Sequence, residues 1–402
     1  MGVKPGYKQT EVGVIPEDWE VKPLNRISPR QSVGLVINPS TYFDKAGTVP
    51  LLVGSNVSEN RIDAATANRI TKASNDLLTA SRVAAGDLVT VRVGEPGVTA
   101  VVPPELDGCN CASMMIVRQH PSFDSNWLCC MMNSRHGRRQ VEHVQYGTAQ
   151  KQFNISDAVD FLYPAPALPE QRAIAAALSD VDALLGGLDR LIAKKRDLKQ
   201  AAMQQLLTGQ TRLPGFSGAW EETRFDKVVR HHAGNSTLIK GKLPPSEAVG
   251  LFPAFSASGQ DVWCDHFEHE GDAIVVSAVG SRCGKAFAAS GKWCAIANTH
   301  VVWPNPAKID GRFLGYFIND EDFWQKSGTG QPFVLFTKTF ARPLRLPALP
   351  EQTAIATVLS DMDAELAALE ARRAKTRDLK QAMMQELLTG KTRLVKPEAA
   401  HA

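Results

Sequence analysis

The chain contains one long stretch twice, and this repeat constrains its fold more than any other feature. Residues 166–213 return as residues 347–394 at a constant offset of 181 without a gap, and 33 of the 48 aligned positions are identical. Each copy opens with PALPEQ, contains LSD and closes with LLTG-x-TRL. Self-similarity over so long a period indicates that the chain is built from two related halves.

Each copy has the pattern of one long helix. Pro169 and Pro350 suit the first helical turn, and a glutamate follows each of them at the positive end of the helix dipole. Gly209 and Gly390 suit a left-handed C-terminal cap. Apolar residues in between step by four and three, which is the spacing of a coiled-coil seam. The seam comprises Ile174, Leu178, Val181, Leu185, Leu188 and Ile192 in the first copy, and Ile355, Leu359, Met362, Leu366 and Leu369 in the second.

The length of these helices favours a role as spacers. A helix from Pro169 to Leu207 would be roughly 58 Å long. Antiparallel pairing through the two seams predicts an elongated molecule with a pseudo-two-fold axis and with the two globular blocks at opposite ends. The alternative is a pair of helices inside a compact bundle. Such long helices are far above the usual length in a compact domain, which favours the spacer.

The rest of the chain forms two globular blocks with an α+β pattern. Residues 1–165 contain short β-type runs at Val49–Val53, Asp87–Val93, Val98–Val102 and Met114–Val117, a short helix from Trp127 to Ser134, and a polar loop, Gly147–Ile155, that enters a last strand. Residues 214–346 follow the same plan with different residues. We therefore predict globular domains at 1–165 and 214–346, spacer helices at 166–213 and 347–394, and a disordered tail at 395–402.

Composition gives weaker constraints. A net charge of +3 is not that of a non-specific polyanion binder, so any nucleic-acid binding must come from local patches. The seven cysteines show no C-x-x-C pair, which favours reduced structural thiols over zinc. The polar residues 1–10 do not form a signal peptide, and no apolar run reaches the length of a membrane span. A cytoplasmic protein is the expectation.

The sequence offers candidate DNA contacts but no catalytic motif. An adenine-methylation motif, a complete phosphate-binding loop and a zinc-hydrolase motif are all missing. Arg, Lys, Gln and Asn side chains read base edges or hold phosphates. A solvated surface role is the alternative for every one of them. The candidate DNA-binding residues are Arg92, Arg135, Arg138, Arg139, Gln150, Lys151, Gln152, Arg282, Lys285, Gln331 and Lys338.

Taken together, these motifs resemble the specificity (S) subunits of type I restriction–modification systems. The resemblance rests on GVIPEDW, the Gly-Asp strands, the GTxQ loop, PALPEQ, LSD-x-D and LLTG-x-TRL, in the order recognition domain, spacer helix, recognition domain, spacer helix. It covers nearly the whole chain. In the second block, FSGA replaces the IPED stretch, which leaves the start of that block less certain.

The resemblance implies a non-catalytic subunit that needs no cofactor of its own. Each recognition domain would read one half of a bipartite DNA target, and the helices would set the gap and dock two modification subunits. Those subunits supply S-adenosylmethionine-dependent adenine methylation, and restriction subunits add ATP- and Mg²⁺-dependent cleavage. The alternatives are a two-lobed protein-interaction scaffold without a DNA role, a free-standing enzyme, and the S subunit of a modification-only system.

Two further expectations concern the helices. Apolar residues near their ends, Leu206, Leu207, Leu387 and Leu388, exceed the needs of a plain helix pair and are predicted to dock the modification subunits. Charged substitutions at Leu206 and Leu387 should then release the partners and leave the domains folded. A rod of roughly 58 Å predicts a non-specific gap of fewer than about ten base pairs between the half-sites.

Overall fold

The computed structural model describes residues 3–148, 150–320, 322–328 and 330–395. The chain divides into two compact units, Met1–Asp189 with Arg372–Ala402, and Arg190–Ala371. Each unit contains one globular domain, part of the first long helix and part of the second. Residues 396–402 of the tail that we expect to be disordered lie outside the described residues.

The first domain is an α+β domain, as the sequence predicts. Its helices are α1 (Leu24–Ile27), α2 (Lys72–Leu77), α3 (Ser125–Asn133), α4 (Arg135–Val144) and α5 (Ile155–Ala158). Its strands are β1 (Tyr7–Thr10), β2 (Gly13–Pro16), β3 (Glu20–Pro23), β4 (Gln31–Val33), β5 (Val49–Leu52), β6 (Val57–Ser58), β7 (Arg61–Ile62), β8 (Asn68–Ile70), β9 (Leu88–Val91), β10 (Thr99–Val101), β11 (Asn110–Cys111), β12 (Met114–Val117) and β13 (Leu162–Ala165). The central sheet has the order β10-β9-β12-β4, and a second sheet has the order β11-β5-β8.

Two local features of the first domain go beyond the sequence pattern. The helix predicted from Trp127 to Ser134 is observed as α3, and the basic cluster Arg135–Arg139 next to its end begins a separate helix, α4. Ser134 causes the break, because its backbone is extended and its hydroxyl accepts a hydrogen bond from the Gly137 N–H at 3.2 Å. The polar loop from Gly147 enters the short helix α5 before the last strand.

The long helix α6 (Leu168–Leu206) leads from the first domain into the second. The second domain contains α7 (Phe225–Val228), α8 (Gly311–Ile318) and α9 (Phe336–Phe340). Its strands are β14 (Glu221–Arg224), β15 (Val229–Ala233), β16 (Phe252–Ser256), β17 (Gly259–Cys264), β18 (His269–Glu270), β19 (Ala273–Ser277), β20 (Ala286–Ala289), β21 (Lys292–Ala295), β22 (Thr299–Pro304) and β23 (Pro343–Leu346). Its central sheet, β20-β19-β22-β15, repeats the order of the first domain's sheet. The second long helix, α10 (Leu349–Leu387), follows.

The two long helices pair in antiparallel fashion within each unit. In the first unit, Asp182 and Asp189 of α6 form salt bridges with Lys380 and Arg373 of α10. In the second unit, Lys195 and Lys199 of α6 form salt bridges with Glu365 and Asp363 of α10, at 2.7 and 2.5 Å. Partner numbers fall along one helix as they rise along the other, which only an antiparallel pair allows. The antiparallel pairing predicted from the seams is therefore confirmed within each unit.

The residues that the two repeats share perform the same structural task in each unit. Glu351 of the second PALPEQ is fully buried. Arg212 of the first TRL donates hydrogen bonds from Nε and Nη2 to its carboxylate, both at 2.5 Å. Reciprocally, Arg393 of the second TRL donates hydrogen bonds from Nε and Nη2 to the carboxylate of buried Glu170, at 2.5 and 2.7 Å. Bidentate pairs of this kind are strong and directional. We call each of these two Arg–Glu pairs a latch. Each latch joins the start of one repeat to the end of the other.

Neighbouring residues extend each latch into the globular domain. Trp19 donates its indole N–H to Glu170 at 3.0 Å, and Asp18 accepts both Arg393 Nη atoms at 2.9 and 2.8 Å. The hydrogen bond with Arg393 lowers the pKa of Asp18. In the second unit Trp220 lies under Arg212, with 5.9 Å between the guanidinium carbon and the ring centre. The Arg393 guanidinium carbon likewise lies 5.7 Å from the Trp19 ring centre, so the tryptophans of GVIPEDWE and GFSGAWEE make the same contact in the two units.

The structure corrects the predicted docking surface. Leu387 and Leu388 are buried in the core of the first domain, and Leu206 is buried in the core of the second. Leu207 is half-buried and packs against the same second core. The sequence pattern counted these leucines as surplus to a helix pair, but it could not show that the globular domain covers the helix ends.

Candidate nucleic-acid interface

The candidate interface of the first domain lies at one end of its central sheet. Strands β4 and β9 end there, and β12 begins there, since Met114 pairs with Val91 and Met115 pairs with Val33. The loop Tyr146–Gln152 is hydrogen-bonded to this end: the Gly94 N–H donates to Lys151 O at 3.0 Å. We call this surface, formed by Arg92–Gly94 and the described residues of Tyr146–Gln152, the first edge.

Four of the predicted contact residues meet at the first edge. Gln150 and Lys151 are exposed, and Gln152 is half-buried. Arg92 is also half-buried and donates its Nε–H to the Phe153 carbonyl at 3.3 Å, so part of its guanidinium holds the loop in place. Residues distant in sequence therefore present two carboxamides and two cations on one surface, which is the chemistry that phosphates and base edges require.

The second domain has the same construction at the equivalent end of its sheet. Strands β15 and β19 end there, and β22 begins there, since Thr299 pairs with Ser277 and His300 with Ala233. The Gly280 N–H donates to Pro332 O at 2.8 Å, as Gly94 does to Lys151. We call the surface formed by residues 278–285 and the described residues of 327–333 the second edge.

Three predicted residues lie at the second edge and a fourth on the helix that follows it. Arg282, Lys285 and Gln331 are exposed, and Arg282 donates Nη1–H to Ser258 O at 3.1 Å. Lys338 is exposed on α9. Below α9 a pair of histidines packs on the sheet: His300 stacks on Phe336 at 3.8 Å, and His231 Nδ1 lies 2.9 Å from His300 Nε2. Burial, with a smaller effect of His231, lowers the pKa of His300 to about 3.

The basic cluster of α4 does not join the first edge as a group. Arg135 and Arg139 instead line a groove of about 640 Å³ whose other wall is α10, with Met384 and Leu388. Arg138 is half-buried and lies close to Gly97, in the turn between β9 and β10. A Cβ atom added at Gly97 would lie 3.1 Å from Arg138 Nη1. The helical period of α4 separates these arginines, so one cluster in sequence becomes two sites in space.

Known proteins resemble this chain in sequence. A family model described as the type I restriction modification DNA specificity domain matches residues 240–376. A putative type I restriction enzyme MjaX specificity subunit from Methanocaldococcus jannaschii is 25% identical, and the match covers 96% of this chain and 97% of that protein. The chain therefore resembles the specificity subunits of type I restriction–modification systems along nearly its whole length.

Solved structures of S subunits share the fold. The S subunit of a type I system from M. genitalium matches with a TM-score of 0.62 and 14% identity, covering 96% of this chain and 98% of that one. A chain from a structural study of complex assembly and conformational transition in the type I R-M system matches with a TM-score of 0.59 and 20% identity, covering 94% and 99%. The fold with two domains and two long helices is thus shared with these solved structures.

Sequence reasoning missed the apolar residues at the two edges of this chain. Phe333 is 45% exposed at the second edge, and Tyr146 is 45% exposed at the first. Val36 and Ile37, which follow β4, are also exposed. A signal for Phe333 was present: the offset of 181 that aligns the two GTxQ loops also aligns Phe333 with Gln152.

Other classes of site receive little support from the described residues. Within residues 3–148, 150–320, 322–328 and 330–395, no group of three or more His, Cys, Asp or Glu side chains is arranged to hold a metal ion. All seven cysteines are buried without a disulfide, and burial raises the pKa of the Cys130 thiol to about 12. No helix in the described part of the chain combines the length and hydrophobicity that a bilayer crossing requires.

Proposed function

We propose that this chain is the DNA-reading subunit of a type I restriction–modification complex. Each edge binds one half of a bipartite double-stranded target, and the chain itself performs no chemistry. Modification subunits supply adenine methylation, and restriction subunits, where they exist, supply ATP-dependent cleavage. The duplicated helices carry the two recognition domains and set the gap between their half-sites.

One observation carries this proposal: the same loop-on-sheet construction occurs twice with different side chains. The equivalent backbone bonds, from Gly94 to Lys151 and from Gly280 to Pro332, give both domains one frame. On that frame the first domain presents a lysine and two glutamines, whereas the second presents Arg282, Lys285 and Gln331. A constant frame with variable polar residues is what reading two different half-sites requires.

The test is methylome sequencing of a host that expresses the chain with its modification partner. The expected result is one asymmetric, two-part motif that disappears when the chain is omitted. Exchange of the domain at residues 214–346 for that of another S subunit should change one half of the motif and leave the other. Methylation that is independent of the chain, or the absence of binding in a pulldown on random-sequence DNA, would favour a scaffold without a DNA role.

We further propose that the modification subunits dock on exposed leucines in the middle of the helices. Leu198 on α6 is 47% exposed, and Leu379, its equivalent in the second repeat, is 55% exposed. Leu191, one heptad before Leu198, is also exposed. Exposed leucines at the same position of both repeats provide one similar apolar surface per unit, which fits two copies of one partner.

Leu198→Glu and Leu379→Glu test this docking surface. Each substitution should remove one modification subunit from the complex, and the double variant should remove both, because a buried glutamate would face an apolar partner surface. Gln204→Glu, also exposed on α6, is the matched control and should leave assembly unchanged. A two-to-one complex that persists in the double variant, measured by native mass spectrometry, would place the docking surface elsewhere.

A further inference from the structure

The two edges contain one pair of positions that are equivalent in backbone and different in side chain. Gln152 forms an antiparallel bridge with Val93, and Phe333 forms the same bridge with Val279. The Gln152 carbonyl accepts a hydrogen bond from the Tyr146 N–H at 2.9 Å, and the Phe333 carbonyl accepts one from the Ser327 N–H, also at 2.9 Å. Positions 152 and 333, like 146 and 327, differ by 181, so this is one site built twice.

The next residue in each loop shows which way these side chains point. Phe153 and Val334 are both buried in the domain cores. In an extended segment successive side chains point to opposite faces. Gln152 and Phe333 therefore point away from the core, on the face that each edge presents to solvent.

An exposed phenylalanine at this position lacks a structural explanation within the domain. Phe267, another exposed phenylalanine of the second domain, has a ring that lies 5.1 Å from the Phe252 ring and 4.6 Å from Lys292 Nζ. Phe333 forms no such ring contact among the described residues. Leaving a large apolar side chain in water forfeits the free energy of burying it, which is about 1.5–3 kcal/mol. Burial against a ligand would recover that free energy.

We infer that positions 152 and 333 are the base-reading positions of the two recognition domains, an inference that rests on the proposed function. Gln152 hydrogen-bonds a base edge, and a carboxamide matches the donor and acceptor pair of adenine in the major groove. Phe333 makes an apolar contact, with a thymine methyl group or as a wedge against a base step. The two half-sites thus differ at the base pair that this position faces.

Reciprocal substitution tests the inference in the complete complex with its modification subunits. Gln152→Phe should change base preference at one or two adjacent positions of one half-site, and Phe333→Gln should do so in the other half-site. The gap between the halves should stay the same in both variants. Each variant should lose at least tenfold in methylation rate at the parental site, measured by methylome sequencing and by time courses on synthetic duplexes.

Phe267→Gln is the matched control, because it makes the same change in the same domain at a residue that is 38% exposed. Phe267 lies beside Lys292 at the start of β21, near the beginning of β19. The second edge lies at the other end of β19, so the control residue is outside it. It should methylate the parental site at the parental rate. Gln152→Ala and Phe333→Ala, with thermal unfolding of each chain, separate lost reading from lost folding.

Several outcomes decide between reading and its alternatives. Folded variants that methylate the parental site at the parental rate would overturn the inference, as would a loss of rate that is equal at every base of the half-site. A change of preference in the half-site of the other domain would overturn it too. If the parental chain itself shows no sequence preference, the proposed function fails, and this result is visible before any variant is made.

Discussion

At the residue scale, His300 gives the second domain a pH dependence. The folded pKa of about 3 lies below the ordinary value of 6.5, because burial favours the neutral imidazole. As pH falls, the unfolded state binds this proton first, so the stabilisation is present above pH 6.5 and is lost as pH falls from 6.5 towards 3. Between pH 7.5 and 5.5 we expect a loss of about 1 kcal/mol in the free energy of unfolding.

The measurement is urea unfolding of the parental chain and of His300→Gln across that pH range. The variant has no titrating group at position 300 and should lose less stability on acidification than the parental chain. His266→Gln is the control, since the His266 side chain is 52% exposed. Equal slopes for the parental chain and His300→Gln would contradict the assignment.

The latch residues give a second expectation at this scale. Arg212→Ala leaves the carboxylate of Glu351, which is 1% exposed, without its cationic partner. Because the carboxylate is buried, losing its cation should lower the free energy of unfolding clearly more than breaking an exposed pair does. Arg345→Ala breaks the pair with Glu222, whose two side chains are 74% and 70% exposed, and should cost less than about 1 kcal/mol.

Chemical unfolding of the two arginine variants compares these latch costs directly. Arg393→Ala, in the other unit, should behave like Arg212→Ala because Glu170 is equally buried. Similar small losses for Arg212→Ala and Arg345→Ala would mean that the shared Glu and Arg of the repeats serve a purpose other than stability.

At the element scale, the ends of the long helices belong to the globular domains. Leu387 is 4% exposed and packs in the first core, so Leu387→Asp buries a charge there and should lower the free energy of unfolding by more than about 3 kcal/mol. Leu379→Asp, on the exposed face of the same helix, should change it by about 0.5 kcal/mol or less. Differential scanning calorimetry of both variants checks this, and a stable Leu387→Asp would restore the leucine as a docking candidate.

The glycine that follows each helix shows a second constraint on the helix ends. Gly209 and Gly390 have φ of +72° and +69°. A Cβ atom on Gly209 would lie 3.1 Å from the Trp220 ring, and one on Gly390 would lie 2.5 Å from Pro16. The left-handed backbone was predictable, whereas the packing against the tryptophan and proline of the domain was not.

At the scale of the whole molecule, the gap between the half-sites remains a prediction that rests on the helices. A four-residue insertion tests this prediction, and it must lie within the helices rather than near Thr208, because α6 ends at Leu206. Insertions after Asp189 in α6 and after Ala371 in α10 keep the antiparallel partners matched. Each adds about 6 Å of helix, and coiled coils accommodate such four-residue insertions by local unwinding.

We expect the paired insertion to lengthen the gap by one or two base pairs, at about 3.4 Å per base pair, with both half-site sequences unchanged. Methylome sequencing measures the gap and the half-sites together. A four-residue insertion after Val249, a fully exposed loop residue of the second domain, should leave the gap as it is. A gap that ignores the helix insertions, or a change of base identity within a half-site, would show that the helices are not the spacer.

Elements that depend on local pattern were predictable from the sequence. The offset of 181 indicated two related halves, the heptad spacing and the glycine caps predicted two helices, and the motifs gave the resemblance to type I specificity subunits. The predicted strand at Met114–Val117 has the observed bounds. These signals are local because helix periodicity, caps and strand alternation involve residues a few positions apart.

Only the tertiary structure decided what those elements contact. Glu170 finds Arg393 across 223 residues, and the domains bury the leucines that end both helices. The edges join loops such as Arg92–Gly94 and Tyr146–Gln152, while the arginines of α4 separate. Each outcome depends on which surfaces pack together over long sequence distances. Hydrophobic burial drives that packing and is non-directional, so the apolar period of an element shows which face is buried but not which partner covers it.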